Sequence, residues 1–337
     1  MSPHRWRGPA VLGAALVAVG SVALLSLAVG SVSLEFGEVI GALIRGPDAS
    51  LPSVVVWSLR LPRIALGALV GASLALAGAA MQGLFRNPLA DPYVLGVSAG
   101  ASLGAAVALL LAAHGLVWFG GVPLLAFAGA GAAAWAVYRL AWAAGALPLT
   151  GVLLAGVAVG LTLSAGVSLT VLLAERHAGD IVLWLMGHLG GARWPQVGWV
   201  AACFAVAAAV LALFAGDLDA MLLGDEAAGA LGVDVERARP WLLGASALLV
   251  AGAVAFCGAI GFVGLVVPHL CRLLVGPAHR WLLPVSAVAG AALLVAADAG
   301  ARVALAGREL PVGVVTGALG GPFFIFLLRR RLSRADR

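Results

Sequence analysis

Lysine is missing from this chain: all 20 of its basic residues are arginine. A phosphate-cradling P-loop needs a lysine to reach the β- and γ-phosphates, so the chain carries no such site of its own. A lysine Schiff base is excluded on the same ground. Charge of either sign is scarce, at 10% of 337 residues, where a soluble domain carries about a quarter. That is too little to coat a globule. Cys203, Cys257 and Cys271 lie in apolar surroundings with no CxxC pair, so neither a disulfide framework nor a thiolate metal site is expected. They read as small buried hydrophobes. No cleavable leader is evident, because the first apolar run, about 10–31, is long enough to span and lacks a clear cleavage site.

What fills the chain is apolar. Hydrophobic residues make up 63%, the mean hydropathy is +1.09 and glycine contributes 46 residues. Small residues let helices approach closely in a bilayer, where packing replaces the hydrophobic drive between them. A spanning helix needs roughly 20 apolar residues, and segments of that kind are expected at about 10–31, 62–85, 93–113, 119–141, 150–173, 196–215, 238–257, 262–276, 280–297 and 311–328. The fold class is therefore all-α: a polytopic membrane protein of about ten transmembrane helices. The chain reads as one transmembrane domain over 1–337. Five spans per half suggest an inverted repeat, echoed faintly by Gly78 and Gly258 and by Ser98 and Ser286.

Net charge of +5 and a pI near 10 could indicate nucleic acid, but the arginines flank apolar runs. Membrane orientation explains them better. Arg5 and Arg7 precede the first span, and the tail Arg329-Arg330-Arg331-Leu332-Ser333-Arg334 follows the last, which puts both termini in the cytoplasm. The stretch 32–61, broken by Pro47 and Pro52, is expected outside. So are 175–195, with Glu175, Arg176, His177, Asp180, His188 and Arg193, and the connector 298–309. The break at Arg86-Asn87-Pro88-Leu89-Ala90-Asp91-Pro92 and the charged interval 217–239 fall in the cytoplasm.

Span middles are nearly free of ionisable groups. His269 and Arg272 fall in the short eighth span, and Asp298 and Arg302, spaced i, i+4, form an expected ion pair at a span edge. Ion-coupled transporters place such groups inside their spans. A secondary transporter of a chelated or hydrophobic substrate is the alternative reading, disfavoured by those empty middles. A channel or scaffold is a third. Without a P-loop or proton relay, uphill transport needs energy from another subunit.

Arg60-Leu61-Pro62-Arg63, then Gly78, Gln82, Asn87-Pro88-Leu89-Ala90-Asp91-Pro92 and Leu95-Gly96-Val97-Ser98-Ala99-Gly100-Ala101 form a pattern. It continues through Leu223-Gly224-Asp225-Glu226-Ala227, Leu231-Gly232-Val233, the block from Gly258 to His269, and Glu309-Leu310-Pro311-Val312-Gly313-Val314-Val315-Thr316. In this order the blocks resemble the FecCD family, the permeases of ATP-binding-cassette (ABC) importers for iron-siderophores, haem and vitamin B12 (cobalamin).

The resemblance implies ten helices per subunit and pairing with a second permease subunit, as a homodimer or close heterodimer. It implies two cytoplasmic ABC ATPases that use ATP and Mg, an extracytoplasmic substrate-binding protein, and residence in the inner (cytoplasmic) membrane. Import of a metal chelate follows, with no catalytic residue, resident metal or cofactor on this chain and no nucleic acid among its partners. Leu223, Gly224, Asp225, Glu226, Ala227, Leu231, Gly232 and Val233 would form the coupling segment that docks on the ATPase. Its apolar Leu-Leu-Gly and Ala-Leu-Gly runs suit a docking cleft better than a solvated loop. Asn87 and Leu89 would form one part of a cytoplasmic gate, with Leu149 and Thr150 as the other; Pro148 and Leu149 depart from the family's small hydroxyl residues there. Outward-facing Arg60, Arg63 and Arg302 would meet carboxylates of the binding protein, and a bland alternative makes Arg60 and Arg63 headgroup anchors. His188 reads as a polar filler of an exposed loop.

Overall fold

The computed structural model describes residues 7–28, 30, 34–142, 147–305 and 308–335. Arg5, counted above as a cytoplasmic charge, lies outside them, as do the side chains of Arg330, Arg331 and Arg334. Among the described residues the chain is helical, apart from one isolated bridge between Leu305 and Arg308. In chain order the helices are α1 (Arg7–Ala28), α2 (Phe36–Arg45), α3 (Leu51–Val54), α4 (Leu61–Leu84), α5 (Val97–Ala113), α6 (Val122–Ala141) and α7 (Leu149–Leu173). Then follow α8 (Ala178–Leu185), α9 (Trp194–Leu213), α10 (Ala215–Met221), α11 (Asp225–Ala230), α12 (Val235–Cys257), α13 (Val263–Val275), α14 (His279–Val303) and α15 (Val312–Ala335). Among the described residues seven helical rods are long and apolar enough to cross a membrane; α5 and α13 are apolar but shorter, and α15 is apolar over Val312–Ile325.

The second rod corrects the sequence reading. It begins at Leu51, not near 62, and runs unbroken to Leu84. Pro52 falls in the first turn of α3, where its missing N–H costs nothing. Pro62 cannot donate to the carbonyl four residues back and would clash with it. The chain answers with a π-helical stretch, Val55–Arg60, closed by the Leu61 N–H on Val56 O, a widening that absorbs the proline without ending the helix. The ninth span is also longer than expected, since α14 continues through Asp298 and Arg302 to Val303. The stretch 34–50, expected outside, holds α2, whose Val39 and Ala42 are buried while Phe36, Ile40 and Ile44 stand exposed. That division suits a helix lying along a membrane surface.

α4 is the central rod. It packs on α14, α12, α13 and α9, and 83% of its most apolar stretch is buried, against 11% for α7. Glycines make these approaches possible. A Cβ at Gly71 would collide with the Gly290 carbonyl of α14, and one at Gly78 with the Gly264 carbonyl of α13. In lipid, where association rests on close packing, such small-residue contacts hold the rods together.

Non-helical backbone at apolar depth must be satisfied by protein, and here the breaks satisfy one another. The Tyr93 hydroxyl donates to Ile260 O at 2.8 Å and accepts from Ile260 N at 3.0 Å. His188 N donates to Cys257 O at 2.8 Å, and Gly313 N to Gly187 O at 3.3 Å. Gly187 and Gly258, with φ of 72° and 70°, approach each other's segments too closely for any side chain. α5 and α13 each start after a left-handed residue, Gly96 and Phe262. Cys203, Cys257 and Cys271 are free thiols.

Candidate functional site

The interval 217–239 folds as two short helices set between the long rods α9 and α12. α10 ends in a turn closed by Gly224 N on Met221 O at 3.1 Å, and Gly224 has a φ of 110° open to glycine. Asp225 and Glu226 occupy the first turn of α11, where carboxylates favour the positive end of the helix dipole. α11 is closed by Val233 N on Ala228 O at 3.0 Å, with Gly232 at φ 88°. Ala228 is buried, which anchors the segment. Leu223 and Leu231 are 70% and 65% exposed, two large apolar side chains flanking the charged Asp225 and Glu226. Their exposed side chains form the apolar part of the segment's surface.

Behind this surface lies an ion cluster that sequence reasoning missed. Arg239, in the first turns of α12, has a side chain only 7% exposed. It donates to Asp225 Oδ2 of α11, to Glu236 Oε1 at 3.3 Å and to Leu147 O at 3.3 Å. Glu236 Oε2 accepts the Leu147 N–H at 3.3 Å, so both backbone polar groups of Leu147 are held by one Arg–Glu pair. Asp225 Oδ1 also faces Arg86 at 3.7 Å. The sequence displayed Glu236 and Arg239 as charges of the interval. Nothing local connects them with Leu147, about ninety positions away.

The two expected gate parts border this cluster. α4 ends in a Schellman turn, with Asn87 N on Gln82 O at 3.2 Å, Arg86 N on Gly83 O at 3.1 Å and Arg86 at φ 51°. Asn87 Oδ1 then accepts the Leu89 N–H at 3.0 Å, so its side chain caps a turn. Pro148 precedes α7 with extended backbone; Leu149 is half-buried and Thr150 exposed. A Cβ at Gly156 would strike the Val94 carbonyl, so α7 crosses directly over the 3-10 turn Pro92–Leu95 that follows Asn87. Asp219 fixes the neighbouring end of α14, accepting His279 N at 2.8 Å and pairing with His279 Nδ1 at 2.6 Å.

A second charged cluster lies at the other end of α4 and α14. Arg60, Arg63 and Arg302 were expected to face outward and meet carboxylates of a binding protein; here groups of the same chain engage them. Arg63 is gripped by Asp298 at 2.9 Å and by Glu309 at 2.8 Å. Arg302 pairs with Asp298 at 3.4 Å in the anticipated i, i+4 geometry and also donates to Ser26. Arg60 is buried and donates to Leu27 O. The physical reason is that an uncompensated guanidinium at the membrane edge is costly, so carboxylates and carbonyls of the same chain engage it. Glu309, 46% exposed, and Arg308, exposed, are the outward members. Cavities of about 190 and 260 Å³ open on either side, the larger one lined by Arg63, His188, Asp298 and Glu309. His188 is half-buried, not in an exposed loop. Burial, and then the Arg63 guanidinium, hold its pKa below the ordinary imidazole value. Among the described residues no group of His, Cys, Asp and Glu could hold a metal ion.

Comparison with known proteins bears on this architecture directly. The sequence pattern of the FecCD transport family matches residues 16–330. The cobalamin import system permease protein BtuC of Halobacterium salinarum is 49% identical over 84% of this chain and 75% of its own length. The hemin transport system permease protein HmuU of Yersinia pestis is 40% identical over 96% of this chain and 97% of its own. A solved inward-facing conformation, assigned to the metal-chelate type of ABC transporter, superposes with a TM-score of 0.85 at 30% identity, covering 96% of this chain and 99% of that one.

Proposed function

The chain belongs to the FecCD transport family, and from that premise we propose that it carries a ferric siderophore, haem or cobalamin across the inner (cytoplasmic) membrane. It is a permease subunit of an ABC importer, a transport protein and not an enzyme. In our reading all ten apolar helices cross the bilayer: the seven long rods, the shorter α5 and α13, and α15. Both termini then lie in the cytoplasm, and the two halves are related as an inverted repeat. The pairing of α5 with α13, each short and each entered through a left-handed residue, supports that repeat.

Two copies pair around a central path. The support is α7, which buries only Val152, Gly156 and Thr170 yet turns the hydroxyls of Thr162 and Ser168 back on its own carbonyls. Satisfied internally, that face is free to meet a second subunit or a passing chelate. The segment 217–239 docks an ATPase that uses ATP and Mg. The observation that carries this reading is the pair of outstanding leucines, Leu223 and Leu231, on a short charged helix pair beside the Asn87 and Leu149 ends. Asn87, Leu89, Leu149 and Thr150 form the cytoplasmic gate. On the other side a binding protein docks at the cluster of Arg60, Arg63 and Arg302. Because Asp298 and Glu309 already engage these arginines, docking proceeds through the exposed Glu309 and Arg308 or by exchange of Arg63 between carboxylates.

Co-expression with the cognate ATPase tests the reading. The two proteins should co-purify, and Leu231→Asp should abolish that association while the permease remains inserted. Intact association in the variant would place docking elsewhere.

A further inference from the structure

We infer that Arg239 is a positioning residue that transmits movement of the ATPase-docking helix α11 to the cytoplasmic end of α7. The inference rests on the reading of 217–239 as the docking segment. Three observations carry it. First, Arg239 is buried, so it cannot itself be a docking contact. Second, its partners belong to separate parts of the chain: Asp225 on α11, Glu236 on α12 and the backbone of Leu147 at the entry to α7. Third, α7 is among the least buried of the rods, and Leu147, fully buried just before its first turn, is held at both its N–H and its C=O by the Arg239–Glu236 pair. The position of that helix end therefore depends on this clamp.

The clamp has two available arrangements. Asp225 is shared, with one carboxylate oxygen on Arg239 and the other facing Arg86 at 3.7 Å. Its side chain is 44% exposed, and it lies between the outstanding Leu223 and Leu231. A partner that seats on those leucines and shifts α11 moves Asp225 towards Arg86 or towards Arg239. A buried guanidinium does not tolerate loss of its carboxylates, so Arg239 follows Asp225 or rests on Glu236 alone, and Leu147 moves with it. Arg86 adjoins Asn87 and Leu147 lies two residues before Leu149, so one displacement reaches both gate segments. This is a two-state element of the kind that carries coupling between sites.

The test uses the complete importer, with permease, ATPase and binding protein in proteoliposomes, and reads chelate uptake per ATP hydrolysed. Arg239→Gln should keep the ATPase bound and hydrolysing while uptake per ATP falls about tenfold, within the usual range of coupling between sites. Arg239→Lys should recover part of the loss, since it restores the charge without the planar fork. Glu236→Gln should lower the ratio by less. A purely structural role predicts something different: uptake and hydrolysis falling together, in proportion to assembled complex. That outcome, or an unchanged ratio in assembled Arg239→Gln, overturns the inference. Should Arg239→Gln fail to assemble, Glu236→Gln decides, because its carboxylate is half exposed; an unchanged ratio there is equally fatal. If the wild-type permease does not bind the ATPase, the docking assignment fails instead. If wild type couples and Arg239→Gln couples as well, only the role of Arg239 is lost.

Discussion

The two charged clusters use the same chemistry for opposite purposes. At the N-terminal end of α4, the end read as outer, Arg63 and Arg302 converge on Asp298, whose side chain is 4% exposed. They join α4 to α14, rods that already touch through Gly71 and Gly290. At the other end, Arg239 is as deeply buried, but its carboxylates on Asp225 and Glu236 are 44% and 46% exposed. They join the short α11 and the first turn of α12 to the entry of α7, which packs little against its own chain. A salt bridge between rigid, fully desolvated partners fixes a register. One between a buried arginine and half-solvated acids, one of them on a short helix, can exchange partners at low cost. The outer cluster is therefore read as a staple and the inner one as a joint.

The largest expected effect breaks the staple. Asp298→Asn leaves two buried guanidiniums facing one carboxylate, a loss of about 3–5 kcal/mol when a buried pair is broken. Folded yield and thermal stability in detergent should drop sharply, and a variant as stable as wild type would show that the outer cluster is not structural. Next is Leu231→Asp at the joint's docking surface. Burying an unpaired carboxylate against an ATPase costs several kcal/mol, so the partner should detach while permease stability is unaltered. The Arg60→Glu, Arg63→Glu double variant separates two roles of the outer cluster. Weakened binding-protein docking, mirrored in wild type by raised salt, supports a docking role; loss of fold alone supports the staple. The smallest effect is Arg86→Gln, whose exposed pair with Asp225 is worth within about 1 kcal/mol. Stability should hardly change, and a large stability loss would move Arg86 from the joint to the core.

Most of the helices were legible because lipid demands long apolar runs, and those runs dominate the sequence. The errors came where proline or charge interrupts a run without ending a helix. Pro52 looked like a break and position 62 like the start of a span, yet a first-turn position for Pro52 and a π-helical stretch before Pro62 let the helix run through. Asp298 and Arg302 looked like a connector, yet they pair along one helix face and let α14 continue. The exposed leucines of 217–239 were legible as apolar residues among charges. Arg239–Leu147 and Arg63–Asp298 were not, because pairings across 92 and 235 positions leave no trace in local spacing.

The central claim is that this permease has no energy source of its own and couples to a separate ATPase. The direct measurement is chelate uptake into proteoliposomes holding the permease alone, or the permease with its ATPase and binding protein, under either a proton gradient or ATP supplied on the ATPase side. The account predicts uptake solely in the complete system with ATP. Accumulation by the permease alone, driven by the proton gradient, would contradict it.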